Sequence, residues 1–350
     1  MKPELIQHAV AVGECMAQEY ITHGHYRPYE SWGGEGQIYP SLTGTALLDL
    51  YRETKNPLLL EGVKAIIASN HEKRMPSCGW SLRLAEFGDG IKFKAPQELK
   101  DLMADVEDLP PTVTAMRLMG EYILETKDQS WLSALKESCK FLVTFWNEEE
   151  GAFNEMLNNE AIHLRANPKS YHIYVYQCIV TLSKLFPEFE KYITPLYNTV
   201  KKVFEGFDEY TYPLLYGMHA ALIIETEGNS DYVQSVVKPR IDEHITYKSE
   251  FIIEKYPGAL GHRDGLRGVC LDEGHLRNSV GAAMVMDFYD YYIGDGGYTQ
   301  SQLYKELTVW IQSMYEDGLY YEYQDLNDGT RRGVGSGGQY LPIFWILGKF

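Results

Sequence analysis

Three carboxylates stand within four residues at Asp105-Val106-Glu107-Asp108, directly before Leu109-Pro110-Pro111-Thr112. Crowded carboxylates cannot all ionise cheaply, so one of Asp105, Glu107 and Asp108 is expected to hold a proton near neutral pH. A protonated carboxylic acid in an apolar cavity is a general acid. The same residues suit helix initiation, with Asp108 as N-cap and the two prolines in the first turn. Acidic residues are ordinary at helix starts, so both roles stand open at this point.

A second cluster runs from Gly261-His262-Arg263-Asp264-Gly265-Leu266-Arg267 to Asp272-Glu273-Gly274-His275-Leu276-Arg277. Arginine offers a planar fork of donors to a phosphate or a carboxylate. Arg331 and Arg332 repeat that offer before the last helix. Arg263, Arg267, Arg277, Arg331 and Arg332, with His262, Asp272 and His275, are therefore candidate ligand-binding residues; salt bridges within the loops explain them equally well. His262, Cys270, Asp272 and His275 match no zinc spacing, so no metal is assigned. Tyrosine is the most abundant aromatic, with 27 copies. Tyr171 lies on one apolar helix, and Tyr212, Tyr216 and His219 follow a step of three to four residues on the next, which puts them on one helix face. Such a face stabilises a cation through its ring faces, stacks on sugar rings, or simply packs between helices. Trp32 and Trp80, beside long loops, complete the candidate aromatic lining.

The elements that must position these groups follow a rhythm. An amphipathic helix ends, a Gly-aromatic turn follows, and a more apolar helix begins. The turns include Cys78-Gly79-Trp80, Gly151-Ala152-Phe153, Gly206-Phe207 and Gly318-Leu319-Tyr320. Six apolar helices are expected near 39–55, 109–126, 167–186, 210–227, 275–293 and 338–350. Six helices with a polar face alternate with them, near 5–22, 58–71, 130–146, 189–204, 231–244 and 301–315. Repeats of roughly 50–60 residues per helix pair predict an all-α fold, an (α/α)6 barrel or toroid of six inner and six outer helices spanning 1–350 as one domain. Tyr320-Tyr321-Glu322-Tyr323 is the one strand-like segment. In a barrel of this kind the inner helices run the same way and direct their N-termini, with their partial positive charge, to one mouth. The long loops 80–108, 154–167, 245–275 and 325–338 lead there.

The Gly-aromatic turns and the Asp-Val-Glu-Asp run resemble the squalene-hopene and class II terpene cyclase family, and the protein prenyltransferase β-subunits that share the toroid. The resemblance implies Glu107 as the proton donor, with Asp105 and Asp108 tuning it. The implied activity is protonation of an isoprenoid in an aromatic-lined cavity, with a divalent cation assisting if a diphosphate is held. No other cofactor is implied. The chain departs from the family pattern in having Glu for Asp, Leu-Pro-Pro-Thr for Thr-Ala, and His71 and Asn147 where the repeat carries Gln. Single (α/α)6 barrels also occur among glycoside hydrolases, sugar epimerases and polysaccharide lyases. In that alternative Glu107 or Asp108 is the acid and a second carboxylate or a histidine is the base. A barrel that binds a partner without catalysis is a third reading.

The net charge of −17 argues against nucleic acid and against an anionic membrane surface. A small-molecule substrate is expected instead; oligomeric state is not legible. The five cysteines, Cys15, Cys78, Cys139, Cys178 and Cys270, are scattered without a CxxC pair, which fits reduced thiols and a cytoplasmic location. No run of apolar residues is long enough to span a membrane.

Overall fold

The computed structural model describes residues 2–27, 38–80, 108–154, 171–208, 211–264, 268–294 and 297–349, without the side chains of 263, 264, 268 and 336. Twelve α-helices lie in them: α1 (Ile6–His23), α2 (Ile38–Thr54), α3 (Pro57–Glu72), α4 (Leu109–Thr126), α5 (Leu132–Val143), α6 (His172–Ser183), α7 (Ile193–Glu205), α8 (Pro213–Glu227), α9 (Lys238–His244), α10 (Leu276–Tyr292), α11 (Gln302–Ser313) and α12 (Ser336–Leu347). The even-numbered helices are the apolar set expected from the sequence, and the odd-numbered ones are the amphipathic set. The chain divides into two compact units, Gly13–Val200 and Met1–Val12 with Lys201–Phe350.

In the unit Gly13–Val200, α2 packs on α3 and α4, and α4 packs on α6. Asn56 starts α3 by accepting the Leu58 N–H, with Pro57 in the first turn. A Cβ on Gly62 would lie 2.5 Å from the Ala17 Cβ, so the glycine is what lets α3 approach α1. The packed helices are also tied by a polar network. Arg52 reaches Asp49 at 2.7 Å and both Glu121 and Glu125 at 3.0 Å. Arg117 joins Glu121 at 2.7 Å and donates to Gln177. Burial, and then the Glu121 charge, push the Asp49 carboxyl up. Burial works the same way on Glu121, but Arg117 and Arg52 outweigh it and hold that carboxyl below its usual range.

In the unit built on Lys201–Phe350, α8 and α10 cross with their backbones in contact. A Cβ on Gly217 would sit 2.2 Å from the Gly281 carbonyl oxygen, and one on Gly281 would sit 2.5 Å from the Leu214 Cα. Small residues at this crossing are thus a steric requirement. The amino-terminal residues belong to the same unit: the Lys2 N–H donates to the Ile346 carbonyl at 2.7 Å, and its ammonium meets Asp287 at 3.0 Å and Tyr304 Oη at 2.6 Å.

The strand content exceeds the one segment expected. Among the described residues are β1 (Trp146–Asn147), β2 (Ala152–Phe153), β3 (His262–Asp264), β4 (Gly268–Cys270), β5 (Glu273–His275), β6 (Tyr315–Glu316), β7 (Leu319–Tyr320), β8 (Tyr323–Asp325) and β9 (Arg331–Arg332). They pair as β1-β2, β3-β4, β6-β7 and the three-stranded β5-β8-β9, all antiparallel. Strands of two or three residues carry too little alternation to be read from sequence.

The Gly-aromatic turns have a common mechanical role. Gly151 and Gly318 take the positive φ angles, +61° and +84°, that the β1-β2 and β6-β7 turns require. The aromatic after each turn is buried, as Trp80, Phe153, Phe207 and Tyr320 all are. In three cases a polar residue early in the next apolar helix grips the aromatic's backbone. Thr112 Oγ1 accepts the Trp80 N–H at 3.0 Å, His172 Nε2 lies 3.0 Å from the Phe153 carbonyl, and Gln339 bonds both N–H and carbonyl of Tyr320 at 2.9 and 2.6 Å. The repeat therefore docks the end of one outer helix onto the start of the following buried one.

Candidate functional site

Asp105, Glu107, Arg267 and Trp32 lie outside the described residues, as does the side chain of Arg263. Asp108 is fully buried at the N-cap of α4, where its N–H bonds the Trp80 carbonyl at 2.8 Å and its carbonyl accepts the Thr112 N–H at 3.2 Å; its carboxylate makes no capping bond. Trp80 is packed, 1% exposed, with its indole donating to the Asn70 carbonyl at 2.8 Å. Its ring serves the core. The tyrosine face of α8 does likewise. Tyr216 and His219 are buried; Tyr216 stacks on His244 at 4.7 Å, and His219 meets Phe207 edge-on at 4.9 Å. Tyr212, at the helix start, is partly exposed and lies 6.0 Å from the Phe251 ring. Tyr171 precedes α6 and pairs with Tyr174 at 6.4 Å. Asp272 is exposed and contributes its carbonyl to the Leu326 N–H. Arg331 turns to Glu316, 3.4 Å away.

What the structure does assemble is the other part of the second cluster. In the β5-β8-β9 sheet, His275 stands opposite Tyr323, and Tyr323 opposite Arg332. Cross-strand partners share a face, and alternation puts Glu273 on the His275 face of β5. The β3-β4 hairpin brings His262 to the same place. The ring centroids of His262 and His275 are 5.7 Å apart with planes 25° from parallel, and Tyr323 meets His275 edge-on at 4.7 Å. Arg332 donates through Nε (2.7 Å) and NH2 to the same oxygen of Glu273, whose other oxygen lies 3.8 Å from His262 Nδ1.

The sheet is fixed to two helix starts. His275 is the N-cap residue of α10 and Arg277 lies in its first turn. Glu322, 4% exposed, carries both connections. Its carbonyl accepts the Leu276 N–H at 2.8 Å, and its carboxylate accepts the Gly338 N–H of α12 at 2.7 Å and lies 3.8 Å from the Arg277 guanidinium. Arg277 also donates to Tyr323 Oη at 3.3 Å. In this unit, then, two apolar helices do direct their N-termini at the candidate site. Behind it, Gly274 admits the Trp310 ring, since a Cβ there would sit 2.7 Å from an indole carbon.

Burial sets the state of the His275 ring. Burial, then the Arg277 charge and His262, hold the His275 ring well below the ordinary histidine value, so it is neutral at physiological pH. A neutral imidazole accepts a proton. Both carboxylates are committed, Glu273 to Arg332 and Glu322 to Gly338 and Arg277. Among the described residues no three His, Cys, Asp or Glu side chains converge as metal ligands, and no helix is long and apolar enough to cross a membrane.

Glu273, Glu322 and Tyr323 are the site residues that the sequence did not single out. The alternation of Tyr321-Glu322-Tyr323 was the available signal, but it could not say that this segment pairs with residues fifty positions earlier.

No protein-family model matches the chain, and no curated protein sequence does. Solved structures do. Cellobiose 2-epimerase from Bacillus thermoamylovorans B4167 aligns with a TM-score of 0.68 at 14% identity, over 91% of this chain and 88% of that one. A D-mannose isomerase aligns with a TM-score of 0.69 at 8% identity, over 99% and 97%. An unsaturated glucuronyl hydrolase specific for heparin aligns at 0.57 and 9%, over 98% and 96%. At such identities the likeness is one of fold, and it gives the chain the (α/α)6 toroid class. The terpene-cyclase resemblance is corrected by the same finding: these structural relatives are carbohydrate enzymes, and isoprenoid cyclisation falls with it. The Gly-aromatic turns that suggested it dock one helix onto the next in this chain.

Proposed function

We propose that this chain is a carbohydrate-active enzyme that moves a proton on a reducing sugar, as an epimerase or an aldose–ketose isomerase does. The observation that carries the reading is the pair of imidazoles, His262 and His275, stacked 5.7 Å apart at the start of α10. A base removes the hydrogen on the carbon beside the carbonyl of the open-chain sugar, leaving an enediolate. Return of a proton to the opposite face of that carbon inverts it; return to the former carbonyl carbon moves the carbonyl. Neutral His275 is the base, and His262 is placed to handle the second proton. The Arg277 charge and the α10 N-terminus favour the developing enediolate. The fold similarity to cellobiose 2-epimerase and D-mannose isomerase supports the substrate class. Hydrolysis asks for two carboxyl groups free to act as acid and base; among the described residues of this cluster Glu273 and Glu322 are held by cations and an amide.

The test is to incubate the protein with cellobiose and with mannose in D2O and follow the C2 proton by NMR. Loss of the C2 proton, with deuterium entering C2 of the epimer or C1 of the ketose, and loss of at least about a hundredfold in rate in His275→Asn, is the expected result. Release of monosaccharides without exchange, or exchange untouched by the substitution, overturns the reading.

A further inference from the structure

We infer that Arg332 and Glu273 form a positioning pair for His262, which rests on the proposed proton-transfer reaction. Arg332 does not bracket the carboxylate symmetrically. Both its Nε and its NH2 donate to Glu273 Oε1, which leaves Oε2 turned to His262 Nδ1 at 3.8 Å. That nitrogen is buried and has no hydrogen-bond partner among the described residues. Glu273 Oε2 is the acceptor set before it, and a movement of about 1 Å brings the two to hydrogen-bond distance. A carboxylate facing Nδ1 selects the tautomer with its proton there, and Nε2 becomes the reacting nitrogen. The ring is oriented by the same contact.

The sheet explains why an exposed arginine can do this. The Arg332 side chain is 59% exposed, yet its guanidinium carbon stands 5.6 Å from the Tyr323 ring centroid. Tyr323 lies between Arg332 and His275 in the strand ladder. The guanidinium is thus fixed by stacking and by the register, while Glu273, nearly buried on β5, receives it. Among the described residues, the charged and titratable groups around His262 are Glu273 and His275 from β5, Cys270 opposite it in β4, Tyr323 from β8 with Arg277 from α10 bonded to it, and Arg332 from β9. Arg332 and Glu273 act on His262 with opposite sign.

The experiment is a pH titration of His262 by NMR in full-length protein carrying 15N-histidine, with His262→Gln assigning the signal. Removing a positive charge favours the imidazolium, and removing a negative one disfavours it. Arg332→Gln should raise the half-protonation pH of His262 by about half a unit to two units, and Glu273→Gln should lower it by a similar amount. Arg332→Lys keeps the charge and should leave the titration near wild type. In the deuterium-exchange assay Arg332→Gln should lose about tenfold in kcat with KM within about twofold, and Arg332→Lys should recover part of it. A purely structural pair would lower thermal stability and leave the His262 titration in place. Identical titration in all the proteins, or shifts of the same sign in Arg332→Gln and Glu273→Gln, overturns the inference. If the wild type exchanges no deuterium while the two shifts are opposite, the pair stands and the proposed reaction falls.

Discussion

At the scale of single residues the decisive fact is what burial does to His275. Its folded pKa lies below the ordinary value of 6.5, chiefly through desolvation and next through Arg277. Two expectations follow from the sign of that shift. The acid limb of kcat/KM, which reports the free enzyme's base, should lie below pH 6.5 and should move up when the Arg277 charge is removed in Arg277→Gln. Stability should follow the same group. Below pH 6.5 the unfolded chain takes up a proton that the folded ring refuses, so stability falls as the pH drops through that window. His275→Asn should flatten this part of the stability–pH curve, read from urea midpoints between pH 7 and pH 5; an unchanged slope would show that His275 is not the group responsible. The sequence had brought His262, His275, Arg277 and Arg332 into view by their chemical type. It also offered Tyr216, His219 and Trp80 on equal terms, and the structure buries all three. Nothing in residue type or spacing distinguishes a ring that meets other polar side chains from a ring packed against a neighbouring helix.

Elements are positioned here by small residues and by backbone contacts more than by surface charge. The crossing of α8 and α10 rests on Gly217 and Gly281, whose missing side chains let two backbones touch. A methyl at Gly281 meets the Leu214 Cα at 2.5 Å, and backbone cannot rotate aside as a side chain can. Gly281→Ala should therefore destabilise by about 1–3 kcal/mol or more, seen as a lower denaturation midpoint, and should lower activity as well, because His275 and Arg277 ride on the start of α10. A wild-type midpoint in this variant would mean that the two helices are free to separate. The helices themselves were legible because six apolar segments alternate with six amphipathic ones, a pattern that needs only side-chain periodicity. The β5-β8-β9 sheet was not. Its strands are two or three residues long, and β5 lies about fifty residues before the β8-β9 pair that it joins, so local alternation does not reveal the pairing.

For the molecule as a whole, burial sorts the thiols. Cys139 and Cys178 are buried and Cys15 and Cys78 are half-buried. Burial, with the Glu188 charge, pushes the Cys139 thiol up to about 12, and burial raises that of Cys178 well above its usual value. The thiolate is the reacting form. In native protein at pH 7.5, iodoacetamide should modify Cys78 first and spare Cys139 and Cys178 until the chain unfolds, as peptide mass spectrometry would show. Early modification of Cys178 would mean that the helices around it open readily.

The sequence by itself determined the helical repeat, the (α/α)6 class and the run of His, Arg and Glu before α10, because these depend on local pattern and composition. Only the tertiary structure decided which of those residues meet. The Asp-Val-Glu-Asp run drew the eye through the crowding of like charges, a local property that is the same whether the segment caps a helix or lines a cavity. The meeting of His262, Glu273, His275, Tyr323 and Arg332 depends instead on strand register between distant segments. Register is fixed by which helix ends are adjacent, and that is a property of the packed molecule.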